Sequence, residues 1–147
     1  MEKLLLGHPV SEAIKEKLKP SILRLEKAGI HPCLCIVRAG EDGGAAAYEH
    51  AAKKNCESMG IRVETRSVSE KCSTEELLDL MDAVNKDPGI HGVLLLRPLP
   101  MQVGDVAVCE RLSPQKDVDG ITSRSLAKVF SGYGEGFAPC TAEACLE

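Results

Sequence analysis

Apolar residues recur at two different periods along the chain, and the alternation between these periods predicts helices separated by strands. The first helix is expected over residues 10–28, where apolar positions follow one another at helical steps: Ile14, Leu18, Ile22 and Leu25. Pro20 lies inside this stripe and is expected to kink or split the helix near Glu16, because proline has no backbone N–H to donate. Gly29 is the expected end of the helix.

Strand patterns alternate with helix patterns over most of the remaining chain. Strands are predicted at residues 31–37, 61–68 and 90–96, and further helices at 45–59, 73–85 and 104–112. A capping box formed by Ser73 and Glu76 should open the third helix. Because strands that alternate with helices favour parallel pairing, the sequence predicts an α/β fold, a small three-layer domain with a mainly parallel sheet.

The last part of the chain changes character. Residues 131–139 (SGYGEGFAP) are glycine-rich and are expected to be irregular. A new helix should begin near Cys140, with Thr141 as its N-cap, and the chain stops within that helix at Glu147. This ending favours a fragment of a longer protein.

Composition limits the classes of protein that fit this pattern. The 147 residues suffice for one ordinary domain, and its core must be aliphatic because the chain has two Tyr, two Phe and no Trp. A formal net charge of −4, without a basic patch, argues against nucleic-acid binding. No apolar run approaches the length of a membrane span, and the N-terminus does not resemble a signal peptide. The seven cysteines include no CxxC and are interpreted as reduced thiols, mostly core residues, of a cytoplasmic protein.

Two loops carry the features most typical of a ligand site. The apolar run from Val93 to Leu96 predicts a buried parallel strand, and the segment Arg97–Pro100 (RPLP) must end it because proline cannot extend a strand. A rigid apolar loop therefore lies at a carboxyl strand end, where open α/β sheets bind ligands. The second loop, Lys116–Gly120 (KDVDG), carries two carboxylates two residues apart, so both could converge on one ligand.

Four segments in the same order and at similar intervals resemble the bifunctional methylenetetrahydrofolate dehydrogenase/cyclohydrolase family: the start GHPVS, the stretch around Tyr48, the pair GVLLLRPLP and KDVDG, and Pro139–Thr141 (PCT). The resemblance implies a folate-binding catalytic domain at residues 1–138, and at 139–147 the start of a helix leading to a nucleotide-binding domain. It also implies hydride transfer from methylenetetrahydrofolate to NADP or NAD, followed by hydrolysis of the methenyl bridge. The chain contains no GxGxxG, so neither nucleotide is expected to bind tightly to it alone. The sequence leaves open whether the protein forms a homodimer.

The resemblance assigns roles to Tyr48 and to a lysine on the same helix. In the family pattern YxxxKxK, the tyrosine stacks on the folate ring and the first lysine transfers protons. The position four after Tyr48 is Ala52 here, and Lys54 matches only the second lysine. A helix turns about 100° per residue, so Lys54 cannot share a face with Tyr48. Tyr48 and Lys54 are nevertheless the catalytic candidates on this helix, with a half-buried tyrosine and a solvated lysine as the structural alternative.

The strand-end loop shows a second departure from the family. Leu96 occupies the position of a glutamine whose amide supports the catalytic lysine, and Leu cannot hydrogen-bond. Arg97 replaces an apolar residue, so it either reaches back into the site or lies on the surface. By resemblance, Leu96 and Arg97 line the folate pocket, and Pro98, Leu99 and Pro100 form its apolar wall.

In the KDVDG loop, the resemblance implies that Asp119 is catalytic and anchors the pterin, since a carboxylate can accept the paired N–H donors of an aminopyrimidine edge. Gly120 and Ile121 would complete the contact. Asp117 is a weaker candidate, and an Asx-type turn ended by Gly120 is the structural alternative. The family continues with an asparagine and a glycine, where this chain has Ser125 and Ala127.

The remaining reactive residues carry weaker signals. The four histidines show no spacing typical of a metal site, so no metal is expected. The thiol of Cys140 precedes a helix N-terminus, which could lower its pKa. The departures at Ala52 and Leu96 keep two alternatives open: a non-catalytic folate-binding or regulatory module, and an unrelated interaction domain on the same scaffold.

Overall fold

A three-stranded parallel sheet lies at the centre of the structure, a computed structural model that describes residues 6–40 and 43–147. In chain order the elements are α1 (Gly7–Lys27), β1 (Cys33–Ala39), α2 (Gly43–Glu57), β2 (Arg62–Val68), α3 (Thr74–Lys86), β3 (Gly92–Leu95), α4 (Asp105–Arg111), α5 (Ser123–Ser131) and α6 (Cys140–Leu146). The strand order is β2-β1-β3, and both pairings are parallel. The prediction of an α/β fold with a parallel sheet is confirmed.

The sheet has an apolar core on each of its two faces. Successive residues of a strand point to opposite faces, so Cys35 of β1 lies in one core and Ile36 in the other. The larger core joins the sheet to α3 and α4. The smaller core joins it to α2, whose Ala52 packs against Ile36, Leu94 and Leu96. Helices therefore cover both faces, which gives the three predicted layers.

The two edges of the sheet differ in a way that places one of the candidate loops. Strand β2 presents charged side chains at its edge, among them Glu64 and Arg66, which pair at 3.0 Å and discourage pairing with another strand. At the opposite edge, the backbone N–H of Val93 donates to the carbonyl of Lys116 at 2.7 Å, and Val93 forms a parallel bridge with Asp117. The KDVDG loop consequently runs alongside β3.

Helix α1 is continuous over 21 residues, so Pro20 does not split it near Glu16. The fixed φ of proline suits a helix, and the carbonyl that Pro20 leaves without a helical donor belongs to the exposed Glu16, where water can bind it. The apolar stripe of this helix also packs less than expected. Ile22 is buried, whereas Ile14 at the other end of the stripe is exposed.

Helix α5 was not predicted, and α6 has a different N-cap from the predicted one. Helix α5 is held at its start by Thr122, whose side chain accepts from the backbone N–H of Ser125 at 3.1 Å, and it ends at Gly132. Its apolar residues lie at helical spacing, so the local signal for this helix is present in the sequence. Helix α6 begins at Cys140 as predicted, but Pro139 occupies the N-cap position instead of Thr141, without a side-chain cap.

The seven cysteines all lie within the described residues and are free thiols; those that are buried are Cys33, Cys35, Cys72 and Cys109. Burial raises the pKa of Cys35 to about 11, so this thiol stays protonated at neutral pH. Among the described residues, none of the helices combines the length and apolar character needed to cross a membrane.

Candidate functional site

The KDVDG loop is fixed to the body of the domain by its first residue. The ammonium group of Lys116 donates to the carbonyl oxygens of Val84, at 2.9 Å, and Asp87, at 2.7 Å, at the end of α3. These bonds satisfy helix-terminal carbonyls that have no intrahelical partner. Together with the bond from Val93, they hold the loop rigidly beside β3.

Asp117 is a structural residue at the centre of this loop. Its side chain is fully buried, and its carboxylate accepts from the backbone N–H of Ile121 at 3.0 Å and of Thr122 at 2.9 Å. The hydroxyl of Ser125 donates to the same carboxylate at 2.6 Å. The expectation that both carboxylates of the loop converge on one ligand is therefore wrong. Asp117 forms the Asx-type turn, and Ser125, where the family has asparagine, completes it.

Asp119, by contrast, is partly exposed and contacts the start of α6. The thiol of Cys140 donates to its Oδ1 at 2.7 Å. Partial desolvation of the sulfur and the neighbouring Asp119 carboxylate raise the pKa of Cys140 above its ordinary value. The expectation that the helix N-terminus lowers this pKa is wrong, because the nearby carboxylate opposes a thiolate.

Tyr48, on α2, is influenced by both of these groups. It is about half exposed, at 56%, in the first turns of α2. Partial desolvation, then the negative charges of Cys140 and Asp119, raise the pKa of the Tyr48 hydroxyl. We refer to these three residues as the Tyr48–Asp119–Cys140 cluster. It combines an accessible aromatic ring with a carboxylate, the two groups that a flat heterocycle with N–H donors requires.

The two positions that depart from the family pattern lie in one apolar cluster. Leu96 is buried beside Ile36 and Leu94, and Ala52 packs against this group from α2. Lys54 is exposed. Two residues further along the helix correspond to about 200° of rotation, so Lys54 faces away from the sheet when Ala52 faces it.

Arg97 lies on the opposite side of β3 from Ala52. Its guanidinium donates to both carboxylate oxygens of Asp105, at 3.0 Å and 2.5 Å. The hydrogen bond to Asp105, and also the charge of Asp119, raise the pKa of Arg97. Because Leu96 points towards α2, its neighbour Arg97 points towards α4, so it does not reach back to the missing lysine position.

The proline loop borders a large open cavity at the carboxyl ends of the strands. Pro98, Leu99 and Pro100 line this cavity of about 970 Å³, together with Gly40 after β1 and Lys71 after β2. Its described lining does not include Tyr48 or Asp119. Leu99 also packs against the larger core, as does Ile121 of the KDVDG loop. The proline loop, which is predicted to be the apolar wall of the folate pocket, therefore borders a cavity that Tyr48 and Asp119 do not line.

Gly120 allows the KDVDG loop to meet the segment that leads into α6. Its φ is +66°, and a Cβ atom built there would lie 2.6 Å from the nitrogen of Pro139 and 2.9 Å from the carbonyl oxygen of Phe137. Any side chain at this position would separate Asp119 from Cys140. The glycine thus contributes to the cluster through close backbone packing.

We expect Gly120→Ala to lower the free energy of unfolding by about 2 kcal/mol or more, from left-handed backbone strain plus steric overlap. The matched control is Gly132→Ala, which has φ +75° but no atom within 4 Å of the added Cβ. Urea denaturation of both variants separates the cost of backbone strain from the cost of steric overlap. Equal losses in the two variants would contradict the close packing of Gly120 against residues 137–139.

Two contacts of this site were not predicted from the sequence: the pairing of Cys140 with Asp119, and the pairing of Arg97 with Asp105. Both join residues far apart in the chain or on different elements, and spacing alone does not reveal them. The described residues contain no group of three or more His, Cys, Asp or Glu side chains that could hold a metal ion.

Comparison with known proteins identifies the family. Residues 5–119 match the model of the tetrahydrofolate dehydrogenase/cyclohydrolase catalytic domain. The bifunctional protein FolD of Clostridioides difficile is 37% identical over 145 residues, which is 99% of this chain and 50% of the relative. FolD of Halalkalibacterium halodurans is 38% identical over 138 residues, 94% of this chain and 49% of the relative. The chain thus spans about half the length of the curated relatives it matches.

Solved structures show the same arrangement. The crystal structure of FolD from Campylobacter jejuni, a methylenetetrahydrofolate dehydrogenase/cyclohydrolase, superposes with a TM-score of 0.91 at 31% identity. The match covers 95% of this chain and 50% of that one. The Trypanosoma brucei enzyme, solved with NADP and an inhibitor, shares the fold at a TM-score of 0.90 and 22% identity, and the match covers 98% of this chain and 50% of that one. On this evidence, the chain belongs to the tetrahydrofolate dehydrogenase/cyclohydrolase family and corresponds to its catalytic domain.

Proposed function

We propose that this chain is the folate-binding catalytic domain of an enzyme that oxidises methylenetetrahydrofolate and hydrolyses the methenyl product. The observation that carries the proposal is the Tyr48–Asp119–Cys140 cluster, which presents an exposed aromatic ring beside a carboxylate. Tyr48 stacks on the pterin, and Asp119 accepts the N–H donors of its aminopyrimidine edge. The proposal also assigns substrate contacts to Leu96, to the proline loop that lines the open cavity, and to Gly120 and Ile121 of the KDVDG loop.

The domain boundaries and partners follow from the same assignment. Residues 1–138 form the folate-binding domain, and residues 139–147 begin the helix that leads to a nucleotide-binding half. NADP or NAD accepts the hydride, and it binds mostly through that second half. The substrate is a one-carbon derivative of tetrahydrofolate, the protein is cytoplasmic, and a homodimer is the oligomeric state to test first.

The apolar pair Ala52 and Leu96 is expected to affect one of the two reactions of the family and not the other. Hydride transfer needs the donor and acceptor carbons held together, which the pterin contacts and the nucleotide half can achieve. Hydrolysis of the methenyl bridge also needs a positioned proton acceptor, which Ala52 does not supply. We therefore infer that the hydrolytic step is slow in this protein. Lys54 and Arg97 were the alternative sources of a basic group, but Lys54 is exposed and Arg97 is paired with Asp105.

The second candidate function is a non-catalytic folate-binding or regulatory module. The packing of Ala52 against Leu96 in an apolar cluster favours it, since both positions lack polar atoms. The two candidates share the pterin contacts and differ in hydrolysis. A binding experiment tests the shared pterin contacts, and a hydrolysis assay separates the two candidate functions.

We expect Asp119→Ala to weaken binding of tetrahydrofolate by about 1.5–3 kcal/mol, the range for a hydrogen bond to a charged group. Tyr48→Ala should also weaken binding, through lost stacking area, and Tyr48→Phe much less because the ring remains. Isothermal titration calorimetry measures each affinity. Lys53→Ala, on an exposed neighbour of the same helix, is the matched control and should bind like the unaltered chain. Unchanged affinity in Asp119→Ala would refute the pterin contact.

A further inference from the structure

The start of α6 is attached to the KDVDG loop at several points. The backbone of residues 137–139 packs closely against Gly120. The ammonium of Lys128, on α5, donates to the carbonyl of Gly136 at 2.6 Å. The thiol of Cys140 then donates to Oδ1 of Asp119. The contacts at Gly120 and Lys128 fix where the helix begins. The thiol of Cys140 is therefore held in place when it donates to Asp119.

The thiol is the only described side chain that donates to the Asp119 carboxylate. Asp119 is partly exposed on this loop, where the charge of Arg97 also interacts with it. Each carboxylate oxygen can accept about two hydrogen bonds, so the contact from Cys140 leaves acceptor capacity on both oxygens for a ligand. The contact therefore restricts the orientation of the carboxylate and still leaves it able to accept hydrogen bonds from a ligand.

We propose that Cys140 is a positioning residue, whose thiol holds the Asp119 carboxylate in the orientation that accepts the pterin. This inference rests on the proposed function of Asp119. It assigns to Cys140 neither nucleophilic attack nor redox chemistry, and it requires the protonated thiol, since a thiolate has no proton to donate. Partial desolvation and the Asp119 carboxylate disfavour the thiolate, whereas the side chain and backbone N–H of Thr141 favour it, and the net effect raises the pKa of Cys140.

The first test measures the contact directly. Iodoacetamide alkylates the thiolate, so the rate of modification of Cys140 across a pH series reports its ionisation. In Asp119→Asn the neighbouring charge is gone, and the midpoint for Cys140 should fall to lower pH. Peptide mass spectrometry resolves Cys140 from Cys145, an exposed thiol on the same helix that serves as the internal control. An unchanged Cys140 midpoint in Asp119→Asn would overturn the proposal.

The second test measures the consequence for folate binding. Cys140→Ala should bind tetrahydrofolate about tenfold more weakly, as expected for loss of one hydrogen bond. Cys140→Ser should bind within about twofold of the unaltered chain, because its hydroxyl can still donate to the Asp119 carboxylate. Urea midpoints of both variants check that the fold is retained. If the unaltered chain binds and Cys140→Ala binds equally well, the positioning role alone is wrong. If the unaltered chain does not bind, the proposed function is wrong as well.

Discussion

A chain that carries both Ala52→Lys and Leu96→Gln should hydrolyse methenyltetrahydrofolate about 10²–10⁴-fold faster than the unaltered chain, the usual contribution of a positioned proton-transfer group. The physical reason is that the two residues pack in one apolar cluster. The lysine would restore a basic group above the folate, and the glutamine would give its ammonium a hydrogen-bonding partner. The loss of methenyl absorbance with time measures the rate, against the spontaneous rate without protein.

The single variants distinguish this interpretation from a simple addition of charge. Ala52→Lys alone should help little, because its amine would lie beside Leu96 and Ile36 with no hydrogen-bonding partner to hold it in position. Leu96→Gln alone should help little, because no base is present. The combined gain should therefore exceed the product of the two single gains, as expected for residues in contact.

Lys54→Ala is the control for a different basic residue. Because Lys54 is exposed on the far face of α2, its removal should leave the slow rate of the unaltered chain unchanged. Suppose instead that the unaltered chain hydrolyses rapidly, that the double variant adds nothing, and that Lys54→Ala abolishes the reaction. Lys54 would then be the base, and the assignment of helix faces would be wrong.

Asp117→Ala should lower the free energy of unfolding by about 3 kcal/mol or more. The substitution leaves the backbone N–H groups of Ile121 and Thr122 and the hydroxyl of Ser125 without their buried acceptor, and each unsatisfied buried group costs about 1–3 kcal/mol. Urea denaturation monitored by circular dichroism gives the value. Asp117→Asn should cost less, because its amide oxygen still accepts from one of the three donors.

Asp119→Ala is the matched control for this measurement, because it removes a carboxylate two residues away in the same loop. Asp119 is partly exposed and accepts one side-chain bond, so the loss of stability should stay below about 1 kcal/mol. The two aspartates should thus separate cleanly, with Asp117 affecting stability and Asp119 affecting folate binding. Comparable stability losses at both positions would contradict the distinction.

The order of apolar periods, the capping box and the glycine helix ends were enough to predict most elements and the parallel sheet. These signals are local, since residues two positions apart share a strand face and residues three or four positions apart share a helix face. The family was also predictable, because its segments occur in sequence order. The capping box at Ser73 and Glu76 is present with both of its hydrogen bonds. Helix α5 was missed although its apolar residues follow helical steps, at Leu126, Val129 and Phe130.

What tertiary structure decided is which residues of the site act together. The spacing of Asp117 and Asp119 is the same for a shared ligand and for a buried turn, and only the burial of Asp117 under α5 separates the two roles. Likewise, the sequence identified the changes at Ala52 and Leu96 but not that the two side chains join one apolar cluster. The pairing of Cys140 with Asp119 spans 21 residues. Such contacts depend on how separate elements pack, which no local pattern encodes.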